Sequence, residues 1–308
     1  MRAAVTGVFS YSGRFIAEAL LARGWDVVAL GRRRPPPSDR LAGRVAFHPL
    51  RLDDEEALLT ALSGCEALFN TYWVRFEHDG TTFADAVERS ARLFRAASGA
   101  RVGRIVHLSV SHASAESPFP YFRGKAAVEE ALQAGDYQYA ILRPTLIFGG
   151  RQEVLVNNIA WLLRRLPLFL LPDGGRCRLQ PVSVFDLARV AADLVESDGN
   201  VVLDLTGPET FTFADFVARI RDAVGSDARL VAAPSGVVST CSRLAGFLLH
   251  DRLLTHDELG ALTANLLACE RATTEGRFGD WLDENGYWLG SDYANELRRN
   301  WKPSLLNS

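Results

Sequence analysis

Apolar positions recur with two different periods along the first half of the chain. Short apolar runs at residues 3–6, 25–30, 45–50, 67–72, 104–109 and 139–145 predict strands buried on both faces. Between them stand stretches with helical spacing. One starts near Gly13, with Phe15, Ile16, Ala19 and Leu20 on one side; others cover residues 55–62, 82–97 and the segment that opens at Tyr121. Asp53-Asp54 supplies a capping acid ahead of the helix at 55–62. Strand and helix alternating through short links predict a parallel, doubly wound α/β sheet with right-handed crossovers. Further on, residues 180–188 read as a short strand leading into a helix, 201–205 as a strand, and 213–224 as a helix with Asp215 in its first turn. The tail is less regular. Residues 237–249 and 257–267 carry helical spacing, and Phe278, Trp281, Leu282, Tyr287, Trp288, Leu289 and Trp301 make it rich in aromatics. Such a cluster either packs on its own domain or forms a partner surface.

The first strand, turn and helix place Gly7 and Gly13 around Ser10, where a third small residue would usually be glycine. The amides at the head of a helix have no intrahelical partner, and the helix dipole favours an anion there. The turn therefore reads as the pyrophosphate cradle of a dinucleotide-binding domain, and Ser10 is expected to turn its amide or hydroxyl toward the phosphates. No acid follows the second strand. Arg32 and Arg33 lie there instead, ahead of a proline run. Either they meet the 2′-phosphate of NADP or they form a solvated basic loop. Asp53 after the third strand fits a place near the adenine as well as a helix start. Asn70 and Thr71 end the fourth strand, where ligands of open α/β sheets sit. The expected layout is a Rossmann core over residues 1–150. Residues 151–308 hold the remaining sheet strand or strands and a small mixed C-terminal lobe on the substrate side, interleaved with the core.

Composition narrows the classes. The chain has 308 residues, 48% hydrophobic and 23% charged, with a net charge of −3. That balance gives no reason to expect nucleic acid or membrane as partners. No apolar window is long enough to span a bilayer, and residues 1–21 already read as fold rather than as a signal peptide. Cys65, Cys177, Cys241 and Cys269 are widely spaced and read as buried free thiols of a cytoplasmic protein. His250 and His256 beside Asp251 and Asp257 fit no metal-ligand spacing, so no metal is expected.

Tyr121 and Lys125 stand four residues apart after a proline-flanked link, so a helix places both on one face about a turn apart. A nearby ammonium favours the phenolate of a tyrosine, and a serine from the preceding strand end can hydrogen-bond the reacting oxygen. These residues fit proton transfer coupled to hydride transfer; an exposed aromatic and a solvated lysine at a helix start is the plainer reading.

With residues 70–76, Ser109, Ser111, residues 142–145 and residues 179–188, the chain resembles the short-chain dehydrogenase/reductase superfamily. The closer likeness is to its extended and atypical epimerase/dehydratase members, most of all those like the accessory subunit of respiratory complex I. The resemblance implies an NAD(P)-dependent oxidoreductase or epimerase. Ser111 (or Ser109, by register), Tyr121 and Lys125 would be catalytic. The cofactor, NADP by preference or NAD, would be held by Thr6, Gly7, Ser10, Tyr11, Gly13, Arg32, Arg33, Asp53, Asn70, Thr71, Ser109, Lys125, Pro144 and Thr145. A cofactor-binding or redox-sensing protein without turnover, acting through a partner, is the other reading. Asn157 and Asn158 stand where extended members touch substrate, or form a polar helix face. A small-molecule substrate is expected, and a homodimer is allowed.

Overall fold

The structure is a computed structural model that describes residues 1–297; Trp301 lies outside them. Along the chain it places β1 (Arg2–Thr6), α1 (Tyr11–Ala22), β2 (Asp26–Gly31), β3 (Ala46–Pro49), α2 (Glu55–Leu62), β4 (Ala67–Asn70), α3 (Phe83–Gly99), β5 (Arg104–Leu108), α4 (Pro120–Gln133) and β6 (Tyr139–Pro144). Then follow α5 (Leu155–Arg165), α6 (Val184–Asp193), β7 (Val201–Leu205), α7 (Phe213–Ala223), α8 (Ser235–Leu249), α9 (His256–Thr263) and α10 (Phe278–Asn285), with shorter strands named below by their residues.

Two compact units emerge, and the chain crosses between them more than once. The first joins Met1–Thr145 to Val184–Leu205; the second joins Leu146–Ser183 to the chain from Thr206 onward. The first unit is a seven-stranded sheet in the order β7-β6-β5-β4-β1-β2-β3, every pair parallel. Alternation along the strands supplies two apolar faces. Ala4, Val28, Leu30, Leu68, Ile105 and Ile141 pack against Leu58, Leu62, Leu93, Phe94, Val128 and Leu132 of α2, α3 and α4. On the other side α1 packs on α6, where the Phe15 and Phe185 rings meet edge to face at 5.1 Å. This is the Rossmann-type arrangement. The sheet order turns at β1, which pairs β2 on one side and β4 on the other, so a crevice opens beyond the carboxyl ends of those strands.

Caps set the helix starts. The residue that caps α2 is Asp54, which accepts the Ala57 amide at 3.0 Å. Thr82 and Asp85 close a reciprocal capping box on α3. β4 stops at Asn70, two residues before the sequence expectation, because the Asn70 side chain accepts the Tyr72 amide and turns the chain out of the ladder.

The second unit is a mixed lobe. Ile147–Phe148 pairs Val182–Ser183 and Leu168–Pro172 pairs Arg229–Ala233, both in parallel, while Arg178–Leu179 pairs Phe211–Thr212 antiparallel. Its core centres on Phe148, Phe216 and Phe278, with the last two stacked at 4.6 Å. The tail aromatics Phe278, Trp281 and Trp288 belong to this core, whereas Tyr287 is exposed. α9 ends at Thr263, short of the expected residue 267, and Asn265 beyond it takes a left-handed conformation (φ 59°).

Candidate cofactor and catalytic site

The β1–α1 turn works by close approach. Gly7 has φ +67°, and its amide donates to the Leu30 carbonyl at 3.0 Å. A Cβ on Gly7 would sit 2.6 Å from the Ser10 Oγ and 3.0 Å from the Thr71 Oγ1. A Cβ on Gly13 would sit 2.6 Å from the Gly7 carbonyl carbon and 2.8 Å from the Thr6 oxygen. Only glycine lets α1 begin this close to the end of β1, with its head aimed beyond the strand ends. Ser10 behaves differently from expectation. Its amide donates to the Gly7 carbonyl at 2.8 Å and its hydroxyl donates to the same oxygen at 2.6 Å, so both hydrogens tighten the turn. It stands at the N-cap position without a side-chain cap bond. The first amides of any helix lack an intrahelical acceptor, and α1 turns that positive end of its dipole to the crevice.

A polar lattice ties the strand ends together. Thr71 donates its amide to the buried Thr6 hydroxyl (2.7 Å) and its hydroxyl to the Thr6 carbonyl (2.6 Å). Asn70 reaches the Thr6 hydroxyl at 3.3 Å and His107 Nδ1 at 3.2 Å. His107 is fully buried against Phe94; burial, with the Lys125 charge nearby, holds its pKa well below the usual imidazole value. The ring is therefore neutral, and its Nδ1 accepts from the Asn70 amide. Sequence reading missed His107, whose side chain lies inside an otherwise ordinary apolar strand.

Arg32 and Arg33 are exposed directly after β2, and Arg34 lies 5.4 Å over the Phe47 ring. The nearest acid of that loop is already engaged. Asp39 takes two hydrogen bonds from the buried Arg14 guanidinium, one at 3.1 Å, and accepts the Leu41 amide at 2.9 Å. Arg14 thereby holds the Asp39 carboxyl below the usual carboxylate range. This pair gave no sequence signal, because 25 residues separate its members. Asp53 does not cap α2. Its exposed carboxylate faces α3, with Arg92 at 3.0 Å and Arg89 at 3.3 Å.

Tyr121 and Lys125 occupy the first turns of α4, which opens with Pro120 at a position where proline costs no hydrogen bond. Trp73 joins them: its ring meets Tyr121 edge to face at 5.9 Å and lies 4.9 Å from the Lys125 ammonium, with Phe83 stacked behind it at 5.8 Å. Gly124 makes room, since a Cβ there would come within 2.8 Å of the Trp73 ring. Lys125 is buried and donates to the Leu108 carbonyl at 2.8 Å. Burial lowers its pKa to about 7, with Glu129 opposing the shift. The two serines part ways. Ser109 donates its hydroxyl to Glu129, whose two oxygens also accept from the Arg143 Nε at 3.0 and 3.1 Å. Ser111 is fully buried, its amide bonded to the Pro144 carbonyl at 2.9 Å, so it follows the end of β6. Thr145 beside it is buried, with its amide on the Leu205 carbonyl at 3.1 Å.

The family model described as "NAD dependent epimerase/dehydratase family" matches residues 3–201. The chain belongs to this family. Among its relatives, the mitochondrial NADH dehydrogenase [ubiquinone] 1 alpha subcomplex subunit 9 of Arabidopsis thaliana is 24% identical over 290 residues, covering 88% of this chain and 71% of that protein. Among solved structures, the triphenylmethane reductase of Citrobacter sp. superposes with a TM-score of 0.72 at 19% identity, over 92% of this chain and 94% of the other. The UDP-glucose 4-epimerase of Thermus thermophilus, solved with NAD, gives 0.64 at 20% identity, over 86% and 99%. These two show a shared fold.

Two residues singled out in this family member have a different place than expected. Asn157 and Asn158 of α5 are buried rather than a solvated face. Asn157 accepts the Gly290 amide (3.0 Å) and donates to the Asp292 carbonyl (2.9 Å); Asn158 accepts and donates at Ala294 (2.9 and 3.0 Å). They clamp the tail rather than forming a polar surface. Cys65 and Cys177 are buried, but Cys241, on α8, is exposed and Cys269 partly so. No described helix is long and apolar enough to cross a membrane.

Proposed function

We propose that this chain is an NAD(P)-dependent reductase or epimerase-type enzyme that moves a hydride at a substrate carbinol or carbonyl carbon, with Tyr121 as acid/base. The observation that carries this is the pairing of Tyr121 and Lys125 at the head of α4, joined by Trp73 and following the link after β5 that carries Ser111. A bound nicotinamide dinucleotide supplies the hydride donor or acceptor. The residues fit such a group: Gly7 and Gly13 let α1 begin directly at the end of β1, so the amides at its head, which carry the positive end of the helix dipole, face the crevice. On this reading Thr6, Asn70 and Thr71 fix the strand ends beneath the cofactor, Ser10 shapes the turn, and Tyr11 opens the helix. Arg32 and Arg33 meet a 2′-phosphate, which favours NADP over NAD. Lys125 holds the ribose, and Pro144 and Thr145 border the nicotinamide end. In reduction the Tyr121 hydroxyl gives its proton to the substrate oxygen as hydride reaches the carbon; in oxidation both moves reverse. Ser111 orients that oxygen. Ser109, committed to Glu129, acts on α4 instead, and Asp53 supports α3 rather than the adenine.

A second reading, a cofactor-holding protein without turnover, is favoured by the likeness to a respiratory-chain subunit over 88% of this chain. NADPH oxidation across small carbonyl compounds and nucleotide sugars separates the two. Turnover that falls about 100-fold or more in Tyr121→Phe, with calorimetric NADPH affinity within a few-fold, supports the enzyme. Tight NADPH binding without turnover anywhere in the panel favours the second reading. Full activity in Tyr121→Phe overturns the acid/base assignment, and much tighter NADH than NADPH overturns the NADP preference.

A further inference from the structure

Helix α8 shows solvent an apolar stripe that no described residue covers. Val237, Leu244, Phe247 and Leu248 are 47%, 63%, 81% and 76% exposed, and Cys241 between them is exposed as well. The opposite side of the helix is its packed side. Val238 and Gly246 are buried, and a Cβ on Gly246 would lie 2.6 Å from the Asp251 oxygen, so the helix is seated and cannot rotate its stripe inward. Contiguous exposed apolar patches of this size on soluble proteins mark contact surfaces.

The geometry points to a second copy of this chain as the occupant: we propose that two α8 helices pair antiparallel about a twofold axis between residues 242 and 243. Val237, Cys241, Leu244 and Leu248 are spaced 4, 3 and 4, the seam spacing of paired helices. A twofold axis at the midpoint sets Val237 against the partner's Leu248 and Cys241 against the partner's Leu244. Each smaller side chain thus meets a larger one, and the same surface serves both copies. Charge agrees with this choice. Residues 235–249 contain no acid and only Arg243, which lies on the flank of the stripe and not in it. An anionic bilayer calls for several clustered cations, and a charged protein partner calls for charges within the contact. Area agrees too. Val237, Leu244, Leu248 and Phe247, which flanks the seam, expose roughly 500 Å² per copy, so pairing removes at most roughly 1,000 Å² from water, the lower end of specific interfaces. The dimer is accordingly of micromolar strength and reversible.

Sedimentation of the whole chain over 1–200 µM tests it, with Leu244→Glu and Leu248→Gln as variants whose fold is checked by circular dichroism. The expected result is a reversible monomer–dimer equilibrium in the wild type. Its dissociation constant rises by about tenfold or more in Leu244→Glu, where a carboxylate meets the partner's apolar seam. A short bismaleimide is the second readout: helices ~8–10 Å apart with a ~1.5 Å rise per residue bring the two Cys241 thiols within its reach. Covalent dimer that is lost in Cys241→Ser and suppressed in Leu248→Gln supports the pairing. A wild type that is monomeric throughout, a dimer indifferent to both leucine variants, or a stripe protected only by vesicles of anionic lipid overturns it.

Discussion

Lys125 shows most directly how burial changes chemistry at one residue. Its ammonium has left water for a carbonyl and an indole face, and its pKa falls from the ordinary value of 10.5 to about 7. Below pH 7 both folded and unfolded chains carry the proton, and folding bears the full cost of burying the charge. Between pH 7 and 10.5 the unfolded chain binds more protons than the folded one, so this residue makes stability rise with pH across that window. Above it the cost is gone. Lys125→Met is expected to be more stable than the wild type at pH 6, with the difference shrinking as pH approaches 10; urea titrations at several pH values check this. Gly13 makes the steric counterpart. Gly13→Ala presses its Cβ against the Gly7 and Thr6 backbone, 2.6 and 2.8 Å from the Gly7 carbonyl carbon and the Thr6 oxygen, and is expected to cost about 2 kcal/mol or more and to abolish NADPH binding, read by thermal melts and calorimetry. The need for glycine here was legible in the sequence. The lysine's burial was not, because it depends on Trp73, fifty-two positions away in the chain.

At the scale of elements, α4 and β6 are locked by a buried carboxylate. Glu129 is 3% exposed and takes Arg143, Ser109 and the field of Lys125 together. Arg143→Met strands that carboxylate without its main partner and is expected to cost about 3–5 kcal/mol, while the double variant with Glu129→Gln recovers much of the loss. A double-mutant cycle by denaturant unfolding measures the difference. The same logic holds for α5 and the tail. Asn158→Ala removes the partner of two Ala294 backbone groups and is expected to cost about 1–3 kcal/mol and speed proteolysis beyond residue 290. Hydrophobic period announced α4, but it says only which face is apolar. It cannot say that a polar residue on a helix will be buried, since that depends on which segment arrives to bond it.

At the scale of the molecule, the order of the strands places the β1–α1 turn at the switch between β2 and β4, where ligands of such sheets bind. On the proposed function, a cofactor bound there would stabilise the folded state by mass action, by about 2.7 kcal/mol at a hundredfold excess over Kd. NADPH is therefore expected to raise the melting temperature. Ser10→Leu is expected to remove that rise while leaving the ligand-free melting temperature within a few degrees, because Ser10 is exposed and bonds only its own turn. A large loss of intrinsic stability in that variant would show that the Ser10–Gly7 bonds support the fold of the unit and not only the shape of the turn.

What depends on near neighbours was legible along the chain: alternating strand and helix periods, glycines at the first turn, a capping acid before α2, and Tyr121 one helical turn from Lys125. These follow from backbone geometry that every chain shares. Tertiary structure decided which of two acids capped the helix, which of two serines Glu129 took up, and that Arg14 took Asp39. It also brought Thr6, Asn70 and His107 into one lattice. Each of those choices joins residues tens of positions apart, and each is settled by burial, where a polar group must find a partner or bear the cost of leaving water.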